Sequence, residues 1–116
     1  MLDLPSDLSL WPGVYLVVGN VWVKAKGTPV IDGFGATLEP GQIRSRVELF
    51  RQVASDLNQV FVLVTTSTVA LNEFKPSEVL VPWKGKLHLL GDIQPESWLA
   101  HFALGDLYER GKLTPE

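Results

Sequence analysis

The chain has 116 residues, 46% of them apolar and 20% charged, with four tryptophans, no cysteine and a formal net charge of −3. That length suits one hydrophobic core, that apolar content excludes a disordered chain, and the missing thiols exclude disulfides, thiolate metal sites and cysteine nucleophiles together. The negative charge disfavours nucleic acid and anionic lipid as partners, which would need a local basic patch.

The expected organisation is a single domain over 1–116, with an N-terminal arm at 1–12 and a long loop rich in glycine and proline at 25–41. The arm carries Asp3, Pro5, Asp7 and Pro12 where a signal peptide would have a basic start and an apolar run, and no apolar stretch approaches a membrane span. The expected location is the cytoplasm, or a host cytoplasm or virion if the chain is phage-encoded, with no membrane partner.

Val14-Tyr15-Leu16-Val17-Val18 and Val21-Trp22-Val23-Lys24 flank Gly19-Asn20, which predicts a tight hairpin with glycine at the first turn position. Within the loop, Val30-Ile31 is a possible third strand. From Gln42 to Asn58 the apolar side chains at Ile43, Val47, Phe50, Ala54 and Leu57 recur at helical spacing, so this segment is an amphipathic helix. Val60-Phe61-Val62-Leu63-Val64 is apolar at successive positions and predicts a strand buried on both faces.

Val79-Leu80-Val81 and Leu87-His88-Leu89-Leu90, separated by Lys84-Gly85, read as a strand pair, with Pro82 near a strand end or sheet edge. Pro95 and Glu96 open a last helix that Gly111 is placed to end. The predicted fold class is α+β: about five mostly antiparallel strands with two helices, in the order β-β-(β)-α-β-β-β-α.

Several strands are apolar on both faces, while two helices of this length cover about one face of a five-stranded sheet. The second face needs the loop, the arm or another protein. The last helix adds Trp98, His101, Phe102 and Gly105 on a side away from Leu99, Ala103 and Leu107, and Trp83 with Lys84 lies in the preceding turn. These six residues, with the glycine permitting close approach, form the expected partner-binding surface. The leading reading is therefore a non-enzymatic interaction module, a small assembly, adaptor or inhibitory protein that binds itself or another protein.

No motif assigns a catalytic residue, cofactor, metal or small-molecule ligand. Asp32-Gly33-Phe34-Gly35-Ala36 lacks the third glycine of a dinucleotide loop and the Gly-Lys-Ser/Thr of a P-loop, and His88 and His101 come from different elements without metal-ligand spacing. Two alternatives accompany the leading reading. Pro12-Gly13-Val14-Tyr15, followed by Ile43-Arg44-Ser45-Arg46-Val47, resembles the GIY-YIG endonuclease family, with Val21-Trp22-Val23 where the second motif is expected. That resemblance implies a small metal-dependent nuclease or hydrolase using Tyr15 and Arg44 or Arg46. The other alternative is weak nucleic-acid binding through Lys24, Lys26, Lys84 and Lys86.

Overall fold

A computed structural model describes residues 1–115 as a mixed α and β domain built on one five-stranded sheet. Strand β1 (Leu2–Asp3) precedes a 3-10 turn at Leu8–Leu10, then come β2 (Gly13–Val18), β3 (Val23–Lys24) and β4 (Val30–Ile31). Helix α1 (Pro40–Leu57) leads to β5 (Val60–Thr65) and the short α2 (Thr68–Leu71). A second 3-10 turn, Pro76–Glu78, opens β6 (Val79–Trp83) and β7 (Lys86–Leu89), and the chain closes with α3 (Leu90–Ile93), α4 (Glu96–Leu99) and α5 (Leu104–Glu109).

The main sheet has the order β4-β5-β2-β6-β7. Its strands are not mostly antiparallel as the sequence predicts: β4, β5, β2 and β6 run parallel, and only β7 is antiparallel to its neighbour. The deciding feature is β2, buried at five successive positions from Val14 to Val18, which needs a neighbour on each edge and cover on each face. The predicted hairpin between 14 and 24 is absent for a local reason. Gly19 takes φ +129° and donates its N–H to Thr65 O at 2.9 Å, extending the parallel ladder where a turn would close. Val23-Lys24 then pairs with Leu2-Asp3 in a separate two-stranded parallel sheet.

The other expected strands hold. Val60–Thr65 lies between β4 and β2 and is covered on both sides, and Val79–Trp83 joins Lys86–Leu89 through Lys84 (φ +52°) and Gly85 (φ +77°), the two positive dihedrals of a type I′ turn. Pro82 is tolerated because β6 meets β2 only at Val79 and Leu80, so it lies past the end of that ladder.

Two apolar layers sandwich the sheet. On one side Val14, Leu16, Val18, Leu63, Val79 and Val81 pack under the helices through Ile43, Val47, Ala54, Leu71, Leu90, Leu99 and Leu107. On the other, Tyr15, Val17, Val62, Val64, Leu80 and Leu87 are covered by Leu2, Leu4 and Leu8 of the arm and by Val21 and Val23. The second face is thus closed by this chain's own N-terminal segment. Phe34, from the glycine loop, is buried beside Phe50, their ring centroids 6.1 Å apart in an edge-on arrangement. Its backbone accepts from the buried Thr65 hydroxyl at 2.6 Å and donates to Val64 O at 2.8 Å. The loop 25–41 therefore closes over α1 and β5.

The predicted last helix is broken into α4 and α5. Leu99, Leu104 and Leu107 all reach the core, yet positions 99 and 104 would lie about 140° apart around one straight helix. Interrupting the helix at 100–103 re-aims Leu104 inward. The new start has no cap of its own at Ala103, and Asn72, at the end of α2, supplies one by accepting the Gly105 N–H on its Oδ1 at 2.8 Å.

Candidate functional site: exposed aromatics

The residues expected to form a partner-binding surface separate into three environments. Gly105 is buried, and a Cβ added there would lie 2.7 Å from Thr68 O and 2.9 Å from Asn72 Oδ1. Its close approach is to α2 of the same chain, so Gly105 is no part of an outer surface. This corrects the reading of that glycine as room for a neighbouring molecule.

Trp98 is half-buried against the helix-side core, with the Phe102 ring, 42% exposed, beside it at a centroid distance of 5.9 Å and tilted by 54°; His101 is exposed. Trp83 is half-buried in the β6–β7 hairpin, where the Lys84 ammonium lies 4.5 Å from its ring centroid and His88 approaches edge-on. The His88 ring Nε2 lies 3.1 Å from Trp83 O, which ties the imidazole to the hairpin.

The most exposed large side chains lie elsewhere, on the elements that cover the second face. Met1 (82%), Trp22 (74%), Leu10 (71%) and Trp11 (64%) all face solvent. Trp11 and Trp22 sit in irregular segments whose neighbours, Leu8 and Val23, turn inward. A strand-like alternation could have flagged Trp22 from the sequence, since Val23 must point the opposite way.

The Trp11 backbone is fixed by the Tyr15 hydroxyl, which donates to Trp11 O at 2.6 Å. Burial, helped by the nearby carboxylates of Glu78 and Asp7, raises the Tyr15 pKa above its ordinary value. A folded pKa above the unfolded one gives stability that is full below about pH 10 and lost as pH rises through the folded value. Tyr15→Phe should remove that tyrosine-dependent part of the alkaline loss, read as a smaller fall in unfolding free energy between neutral pH and pH values above about 10.

Around Tyr15 lies a shallow groove of about 400 Å³ lined in part by Asp7, Trp11, Glu78 and Leu89. Glu78 is already engaged by Arg51 at 3.4 Å and by the Lys75 N–H at 2.9 Å. Comparison with protein-family models, curated proteins and solved structures finds no match.

The endonuclease resemblance is not assembled in space. Tyr15 faces the arm side of the sheet, whereas α1, which carries Arg44 and Arg46, packs on the opposite face. Arg44 is paired with Glu73 at 3.2 Å, and the hairpin that would present Tyr15 does not form. Among the described residues no three His, Asp or Glu side chains cluster closely enough to hold a metal ion, and no helix is long and apolar enough to cross a membrane.

Proposed function

We propose that the chain is a protein–protein interaction module, a small assembly, adaptor or inhibitory protein, and that its first partner is a second copy of itself. One observation carries this reading. Both faces of the sheet are covered from within the chain, yet Leu10 and Trp11 remain largely in water. Interface energy concentrates in a few anchors of this type, tryptophan above all.

Trp11 is also pre-organised. Its carbonyl is held by Tyr15 and its N–H donates to Leu8 O at 3.0 Å, so docking the indole would order only the side chain, and the entropy cost of association is kept low. Phe102, beside Trp98, offers a second and smaller apolar contact on the helix side.

Light scattering on a sizing column, over a range of protein concentration, tests the reading. The mass should rise above that of one chain as concentration increases, and Trp11→Ala should weaken association at least tenfold, as for an interface hot spot, with its thermal unfolding close to wild type. A mass that stays monomeric at every concentration removes self-association as the role of this surface. An unchanged dissociation constant in Trp11→Ala removes Trp11 as its anchor.

A further inference from the structure

Helix α1 has two flanks with different surroundings. On one, Arg44 pairs with Glu73 at 3.2 Å, and Arg51 pairs with Glu78 at 3.4 Å and donates to Glu73 O at 2.8 Å, so the helix is tied to the segment between α2 and β6. On the opposite flank, at about 100° of turn per residue, Leu49, Val53 and Leu57 follow one another at i, i+4 spacing. Leu49 is 53% and Leu57 57% exposed, and Val53 is half-buried. The chain's own packing leaves this stripe largely in water.

The two ends of the stripe carry opposite charges. Arg46, one turn before Leu49, is exposed and joins none of the ion pairs found among the described residues. Asp56, next to Leu57, is exposed and accepts a hydrogen bond from Gln52 Nε2 at 3.0 Å. It stands in the last turn of α1, where the negative end of the helix dipole disfavours a carboxylate and no basic residue offsets it.

We propose that this flank of α1 is a second self-association surface, on which α1 of another copy lies antiparallel. The charges select that occupant and that direction. With Arg46 of each copy across from Asp56 of the other, a two-fold axis closes both ends of the stripe with an ion pair and sets Leu49 across from Val53. Each Asp56 gains the cation that its own last turn lacks. A parallel pair would instead set arginine against arginine and aspartate against aspartate. The contact is independent of Trp11, because α1 and the arm lie on opposite faces of the sheet. Its apolar part is leucine and valine, so it is the weaker of the two and acts at higher concentration. Two such contacts on opposite faces let the wild type grow past a dimer.

Sedimentation equilibrium on Trp11→Ala isolates this contact. That protein should still dimerise at high concentration. Adding Arg46→Glu or Asp56→Arg turns both ion pairs into like-charge contacts and should weaken the dimer at least tenfold; adding Leu49→Ala with Leu57→Ala should do the same through lost apolar burial. The two charge variants, mixed, should bind each other about as tightly as the parent binds itself, and the protein carrying both changes should recover self-association. Misfolding cannot produce either recovery. At dilution every variant should melt as the monomer does, since all four side chains are exposed in it.

Three outcomes would overturn the inference: a Trp11→Ala protein that stays monomeric at every concentration while the wild type associates, charge variants that dimerise like their parent, or no recovery on mixing. The first leaves Trp11 as the anchor of self-association. A dissociation constant unchanged by Trp11→Ala but raised by the charge variants removes Trp11 and leaves the α1 contact standing.

Discussion

Gly105→Ala should destabilise the fold by about 2 kcal/mol, lowering the melting temperature by roughly 5–10 °C, although alanine is the better helix former. In an open helix the exchange would gain up to about 1 kcal/mol. Here the new methyl would sit 2.7 Å from a backbone oxygen, Thr68 O, which cannot rotate away, and 2.9 Å from the Asn72 side chain that holds the Gly105 N–H. The sign of the effect is therefore set by α2. Gly41→Ala supplies the control: it also lies in a helix, nothing lies within 4 Å of an added Cβ, and it should leave stability unchanged or slightly raised. Thermal denaturation of the two variants beside wild type decides the matter. If Gly105→Ala were neutral, α5 would not dock on α2 as described.

Leu16→Ala should be costlier, at about 2–5 kcal/mol, because a large side chain leaves a cavity that a central strand cannot close. Leu16 has no exposed surface, and its strand is held by Leu63 on one side and Val79 on the other. Neither neighbour can move inward without breaking its own ladder. The matched exchange Leu49→Ala, at a residue 53% exposed on α1, should change stability by no more than about 0.5 kcal/mol. Urea unfolding of both should show a lower midpoint for Leu16→Ala with an unchanged slope. Equal midpoints would mean that β2 is not the centre of the sheet.

Much of the fold was legible because its signals are local. The helical spacing of Ile43, Val47 and Ala54 marks α1, the unbroken run from Val60 to Val64 marks a doubly covered strand, and Lys84-Gly85 marks the hairpin. What misled was also local. Gly19-Asn20 has turn chemistry, but the direction of the chain there is decided by Thr65, far along the sequence. Strand orientation follows from such distant partners, and nothing near Val14–Val18 announces them.

The candidate surface divides along the same line. Turn and helix positions single out Trp83, Lys84, Trp98, His101 and Phe102, of which Lys84, His101 and Phe102 are exposed and the two tryptophans half-buried; they do not show that Gly105 is buried, because its demand for space comes from Thr68 and Asn72. The break before α5 was equally hidden, since its cap is a side chain of another helix. The pairing of Val23-Lys24 with Leu2-Asp3 was hidden as well, since β1 is a two-residue strand with no sequence signature of its own.

The central place of β2 has a consequence during synthesis. Both strands that complete its ladders, Val60–Thr65 and Val79–Trp83, lie downstream of it, so Val14–Val18 leaves the ribosome with two open edges and two bare apolar faces. The arm at 1–12 can shield one face early, but the two strands that pair with β2 in the folded sheet are not yet made. Until the downstream strands arrive, this segment is the one most open to capture by a chaperone or by the same segment of another nascent chain.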